Sequence, residues 1–253
     1  MNNLEKIVDA CRYLLKQYPE AAACQEYLNS RIDSKTQEEF QFGYFPPITN
    51  IDALTAIVGE DVLKEEGLLF SKEIEDSLYP RTLHFCYFEN YSAIIPFRDC
   101  YGNVAGLVGR TLLSEDERKE KDISKYKNSY FSKTHHIFGL YENKKAILEK
   151  DCVFLVEGQF DVIKAHEQGF DNILGIGSAS LSVHQFSLVT RYTTNIFLLL
   201  DGDDAGKKGR KRILDKFGKY ANIQNFYLPD GYKDIDEYLK VVSYENMELL
   251  VVN

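Results

Sequence analysis

Residues 155–163 read LVEGQFDVI and residues 197–212 read FLLLDGDDAGKKGRKR. Each is an apolar run of strand length that stops at carboxylates and passes at once into a helical pattern. Such runs, alternating with helices, are what strands of a parallel sheet look like, because both their faces are covered and each return crossover is usually a helix. In an open sheet of this kind functional groups collect beyond the carboxyl ends of the strands. Glu157 and the Asp201/Asp203 pair are therefore expected to converge despite their separation in sequence. A third acidic pair, Asp234 and Asp236, follows one more strand-like run, NFYLPDG at 225–231. Converging carboxylates repel one another near neutral pH and call for a cation. Magnesium prefers hard oxygen ligands and usually takes one or two carboxylates together with substrate phosphates. The pattern predicts metal-assisted phosphoryl chemistry.

The surrounding chain keeps the same rhythm. A helix over 141–150 (YENKKAILEK) leads into strand 153–156, helix 160–168, strand 172–176, helix 182–190, strand 195–200, helix 204–219, strand 223–228 and helix 235–241. The first 80 residues read as helical, with a break at Pro46-Pro47, where a helix cannot continue. Residues 83–113 change to aromatic and β-branched runs about Asp-Cys-Tyr-Gly-Asn, a hairpin pattern. The segment 114–127 is charged and poor in apolar residues and reads as a mobile loop. Two units are expected, 1–140 and 141–253, the second being the parallel sheet.

Composition narrows the classes. A hydrophobic fraction of 44% with 13% aromatic residues fits a folded chain and argues against disorder. The N-terminus, MNNLEKIVDACRYLLKQYPE, lacks the basic start and long apolar core of a signal peptide, and no apolar run reaches the length of a membrane span. The expectation is a cytoplasmic protein without a membrane partner. Cys11, Cys24, Cys86, Cys100 and Cys152 are scattered, with no CxxC, so they read as reduced thiols and offer no zinc spacing. The net charge of −9 opposes nucleic-acid binding, yet its distribution is uneven. Between 52 and 76 stand eight acids (Asp52, Glu60, Asp61, Glu65, Glu66, Glu73, Glu75, Asp76) against Lys64 and Lys72. Between 207 and 219, seven bases (Lys207, Lys208, Arg210, Lys211, Arg212, Lys216, Lys219) face Asp215 alone. That run is either a solvated helix face or a phosphate-binding one.

Glu157-Gly158, Asp201-Gly202-Asp203 with Ala205-Gly206 behind it, and the late Asp234-Ile235-Asp236 together resemble a Toprim domain, the metal-binding α/β module of bacterial-type primases, topoisomerases and some nucleases. LVEGQFDVI is similar to the primase form of the motif, in which a second acid, here Asp161, follows the glutamate by four positions. Upstream, YSAIIPFRDCYGNVAGLVGRTL at 91–112, KYKNS at 125–129 and FSKTHHIFGLYE at 131–142 resemble, in order and spacing, the basic segment that precedes Toprim in bacterial replicative primases. YLNSRIDSKTQEEFQFGYFPP at 27–47 resembles the start of that catalytic core. The resemblance covers about nine tenths of the chain. It lacks the family's N-terminal zinc domain, its segments after Toprim and part of the linker between KYKNS and FGLY, features that suggest a phage-type or otherwise reduced primase.

The resemblance implies an α/β fold in which a Toprim domain, a parallel sheet flanked by helices, follows a mixed α+β basic subdomain. It implies a DNA primase, a nucleotidyltransferase that makes short RNA primers on single-stranded DNA with Mg2+ or Mn2+, from ribonucleoside triphosphates and beside a replicative helicase or single-strand binding protein. Glu157 would act as general base or metal ligand; Asp201, Asp203 and Asp236 would hold metal, with Asp161 and Asp234 as further ligands. Arg110, Lys125, Asn128 and Lys133 would bind template or nucleotide, and Tyr126 would stack on a base or simply pack. Taken alone, Glu157 reads as a helix N-terminal acid and each cation as surface charge. Asp204 is expected to cap the helix after it, and His135-His136, whose adjacent side chains diverge, to play a phosphate or polar role rather than a metal one. The rival readings are a Toprim nuclease using water as nucleophile and a non-catalytic module that binds nucleic acid or a replisome partner. A topoisomerase would need a tyrosine-bearing strand-gating domain for which the chain has no length.

Overall fold

Asn2 and Glu5 form a capping box that opens helix α1 (Asn3–Gln17), whose buried stripe of Ile7, Val8, Cys11, Leu14 and Leu15 recurs at three- and four-residue spacing. That stripe packs on strand β1 (Gly43–Tyr44) so closely that a Cβ on Gly43 would lie 2.6 Å from the Cβ of Cys11. In this computed structural model, residues 2–74, 81–229, 231–232, 235–242 and 250–252 are described. The chain divides into two units, one of Met1–Phe97 and Asn103–Phe131 and the other of Arg98–Gly102 and Ser132–Asn253.

In the first unit α1 is followed by α2 (Ala22–Asn29), α3 (Ser34–Glu39), α4 (Asp52–Val58) and α5 (Glu60–Glu65). A four-stranded sheet runs in the order β1-β4-β5-β6, with β4 at Ala93–Arg98, β5 at Val104–Arg110 and β6 at Tyr126–Asn128. A separate antiparallel ribbon pairs β2 (Leu69–Ile74) with β3 (Arg81–Cys86). The helical expectation for the first 80 residues is thus corrected by β1, whose partner β4 lies some fifty residues on, beyond the reach of local periodicity, and by β2, which pairs with the next strand, β3. The hairpin expected about Asp99–Asn103 is present as β4 and β5, with Gly102 at φ 98° in the turn. Residues 114–127 are not a plain loop. They hold α6 (Glu115–Glu120), opened by a Ser114/Glu117 capping box and braced by a Lys119–Glu115 ion pair at 2.6 Å, and then the start of β6. No residue of α6 is buried, so apolar periodicity could not reveal it.

The second unit contains α7 (Leu140–Lys150), β7 (Val153–Val156), α8 (Gln159–Glu167), β8 (Ile173–Gly175), α9 (Val183–Val189), β9 (Asn195–Leu198), α10 (Asp204–Phe217), β10 (Asn222–Tyr227), α11 (Ile235–Leu239) and β11 (Leu250–Val252). Every element expected between 141 and 241 is present, within two residues at most boundaries. The sheet order is β11-β10-β9-β7-β8, parallel except for the antiparallel edge strand β11, which sequence reading did not anticipate. Leu155, Leu174, Ile196, Leu198, Ile213 and Phe217 belong to the core on this sheet. The chain leaves β7 toward β8 on one side and then crosses back to β9 on the other. The switch point of the strand order, where α/β sheets hold their ligands, therefore lies between β7 and β9.

Candidate active site

Glu157 follows β7 and Asp201 follows β9, the two strands that flank the switch point. The backbone N–H of Asp201 donates to Glu157 Oε1 at 3.3 Å, so the two acids are side by side. Partial burial raises the Glu157 carboxyl above its ordinary value, and the charges of Asp201 and Asp203 push it the same way. The Asp201 N–H and the Arg210 charge oppose that rise. Asp203 is exposed and serves as N-cap of α10, its Oδ1 accepting from the Gly206 N–H at 2.8 Å. The cap is therefore Asp203 rather than Asp204. Asp204 stands in the first turn, 90% exposed at its side chain and 3.9 Å from Lys207, because the extended backbone that a cap needs is at Asp203 and the helix begins at Asp204 itself.

Asp161 is turned back on its own helix, where its Oδ2 accepts from the Gly158 N–H at 3.0 Å. Asp234 lies outside the described residues, and Asp236 lies within α11 with its side chain outside them. Among the described residues no three Asp, Glu, His or Cys side chains gather into a metal cluster. Two adjoining carboxylates at the strand ends, with Asp203 beside them in sequence, still suit an ion that takes one or two carboxylates plus phosphate oxygens.

Sequence reading missed Arg210. Six of the seven bases at 207–219 are exposed, as a solvated face requires, but Arg210 is 3% exposed. Its Nη1 donates to the Asp201 carbonyl at 3.0 Å and its Nη2 to the Leu200 carbonyl, while the guanidinium lies 4.4 Å from the Tyr227 ring centre. Helix α10 approaches this loop so closely that a Cβ on Gly206 would stand 2.0 Å from the Asp201 carbonyl, and one on Gly209 2.3 Å from that of Ala179. The spacing of Gly206, Gly209, Arg210, Ile213 and Phe217 on one helix face was the available signal.

The candidate nucleic-acid residues divide between the units. Arg110, Lys125, Tyr126 and Asn128 belong to the first. Arg110 is 8% exposed, donates from Nε to the Tyr27 hydroxyl at 2.9 Å and stacks 4.8 Å from the Tyr126 ring centre. The exposed Lys125 lies 5.6 Å from the same ring, so Tyr126 packs between two cations. Asn128 Oδ1 is buried and accepts no hydrogen bond among the described residues. Lys133, in the second unit, is exposed in a short 3-10 turn. The buried Gln185, which sequence reading also missed, fastens that turn by donating to the carbonyls of Lys133, His136 and Ile176 at 3.1, 2.9 and 3.2 Å. His135 packs against His184 with ring centres 4.0 Å apart, and burial lowers the proton affinity of His136.

A parallel sheet carrying acids at the ends of β7 and β9 defines a Toprim-type α/β domain, and a Toprim-like family model matches residues 154–239. A second model, the N-terminal domain of the DNA primase catalytic core, matches residues 12–144, and the chain belongs to that DNA primase family. It is 31% identical to the DNA primase of Aquifex aeolicus over 98% of this chain and 48% of that protein, and 32% identical to the DNA primase of Synechococcus elongatus over 88% of this chain and 32% of that protein. The chain thus spans from about a third to about half of the length of these relatives. Among solved structures, the zinc-binding and RNA polymerase domains of the Aquifex aeolicus primase match with a TM-score of 0.72 at 28% identity, over 99% of this chain and 63% of that one. A primase domain from Pseudomonas aeruginosa matches with a TM-score of 0.75 at 26% identity, over 96% and 74%. Among the described residues no helix is long and apolar enough to cross a membrane.

Proposed function

We propose that the chain synthesises RNA primers on single-stranded DNA, joining ribonucleotides by metal-dependent nucleotidyl transfer. The observation that carries this reading is the pair Glu157 and Asp201 at the switch point of a sheet that belongs to a primase catalytic core. Asp201, with Asp203 and Asp236, is assigned to hold Mg2+ or Mn2+, and Asp161 and Asp234 are the further candidates. A divalent ion bound there supplies charge compensation at the attacking 3′ oxygen and at the departing pyrophosphate. Glu157, whose proton affinity is raised by burial and by its acidic neighbours, is suited to take the 3′-hydroxyl proton. Arg210 holds the Leu200–Asp201 backbone, and so fixes the direction from which Asp201 is presented. Arg110, Lys125, Asn128 and Lys133 are assigned to template or nucleotide phosphates, with Tyr126 as the packed aromatic between Arg110 and Lys125. A replicative helicase or single-strand binding protein is the partner class that fits this activity.

Incubation with labelled ribonucleoside triphosphates, single-stranded DNA and Mg2+ or Mn2+ tests the reading. Short labelled RNA that vanishes in Glu157→Gln is the expected result. Degradation of the DNA without RNA synthesis would instead identify a nuclease, and binding with neither reaction a non-catalytic module.

A further inference from the structure

The β2–β3 ribbon sorts its side chains by the two-residue alternation of a strand. The register Phe70↔Phe85 and Lys72↔Leu83 puts these four on one face. Ser71, Glu73 and His84 fall on the other, where Asp52, Glu60, Leu69 and His84 line a cavity of about 240 Å3. On the first face Phe70, Leu83 and Phe85 are 41%, 42% and 47% exposed. Tyr87 continues that face beyond β3, its N–H donating to the Leu68 carbonyl at 2.9 Å. Its ring centre is 6.4 Å from that of Phe70 and 5.7 Å from that of Tyr130, which is 79% exposed. Lys127 closes the set, with Nζ 4.0 Å from the Tyr87 ring centre and bonded to its carbonyl at 2.7 Å.

An exposed apolar patch of this kind marks an interaction site. Its charge says of what kind. In a chain with 39 acids and 30 Lys or Arg, the described strand residues of this face, with Lys127 beside them, include Lys72 and no acid, while Asp52, Glu60 and Glu73 lie on the reverse of the ribbon. Accessible rings with cations among them are how single strands are held: bases stack on the rings and phosphates meet the cations. A basic protein segment would favour the acidic reverse face instead. We propose that the Phe70/Phe85/Tyr87/Tyr130 face is a stacking platform for single-stranded DNA that adjoins Asn128, whose carbonyl accepts from the Tyr87 hydroxyl at 2.7 Å, and extends away from Arg110 and Lys125. The proposal rests on the primase reading only in choosing DNA template as the strand, since a copied strand must extend beyond the site that copies it.

Fluorescence anisotropy of a labelled oligothymidylate with the full chain tests it. Phe70→Leu and Phe85→Leu keep apolar bulk and lose the ring, and each is expected to weaken binding roughly fivefold or more without changing the salt slope. Phe85→Trp should bind at least as well as the parent chain, and oligonucleotides carrying 5-iododeoxyuridine should cross-link to Tyr87 or Tyr130. Parent-like affinity in the Phe70→Leu/Phe85→Leu double variant, or cross-links found only outside this face, would overturn the platform. So would a double variant that keeps DNA affinity but loses binding to a replication protein, because the face would then be a protein dock. The comparison is repeated in Glu157→Gln, where catalysis is removed. If the rings still govern affinity although the parent chain makes no RNA, the platform stands and the primase reading alone fails.

Discussion

Asp203 is both the N-cap of α10 and a candidate metal ligand, and its variants separate the two roles. Asp203→Ala should lose about 1 kcal/mol of stability in urea titration, whereas Asp203→Asn should keep nearly all of it, because Asn caps as well as Asp. Both should lose nucleotide addition. Asp201→Ala should also be inactive yet as stable as the parent or slightly more so, since it relieves the charge beside Glu157; full activity in this variant with the divalent requirement retained would refute the metal assignment. Glu157 gives a pH signature in metal-free buffer. Its carboxyl is raised in the folded chain, so below the unfolded value of about 4.3 both states are protonated and no stability is lost. As pH rises through the raised folded value, the folded state must ionise in a site that resists it, and stability falls. Melting temperature against pH in a chelating buffer should show this fall in the parent and not in Glu157→Gln; parallel curves would place the Glu157 titration at its unfolded value.

Helix α10 shows why an element could be located from its pattern without its role being understood. AGKKGRKR carries a helical pattern, but arginine is almost always exposed, and its place on the face of Gly206, Gly209, Ile213 and Phe217 is a weak signal against that tendency. Its burial is decided by the loop after β9, whose Leu200 and Asp201 carbonyls need donors once the helix has covered them. Arg210→Met should therefore cost roughly 1–3 kcal/mol by leaving those carbonyls unpaired, and Lys211→Met on the exposed face should stay within about 0.5 kcal/mol. Gly206→Ala sets two effects against each other. Alanine favours a helix interior by about 1 kcal/mol over glycine, but its Cβ would lie 2.0 Å from a backbone oxygen, so the clash wins. A lowered melting temperature together with weaker Mn2+ binding by electron paramagnetic resonance is expected, and a more stable Gly206→Ala chain would disprove the close approach.

For the molecule as a whole, net charge of −9 leaves DNA affinity to local cations. Replacing the exposed Lys125 and Lys133 should flatten the dependence of log affinity on log salt by about 0.7 for each phosphate contact removed from a single strand. An unchanged slope in the double variant would make them ordinary solvated charges. Arg110, packed between Tyr27 and Tyr126, should affect stability as well as binding. The alternation of strands and helices from 141 to 241, and the placing of Glu157 and Asp201 at strand ends, were legible because burial on both faces writes itself into apolar runs of strand length. The sequence by itself determined those elements, the carboxylate positions and the family to which they belong. Tertiary structure alone decided that β7 and β9 are neighbours, that Asp203 rather than Asp204 caps α10, that Arg210 is inside, and that β2 pairs with β3 to expose two phenylalanines. Strand order depends on partners far away in the chain and the burial of Arg210 on how the loop after β9 folds against α10, and apolar periodicity records neither.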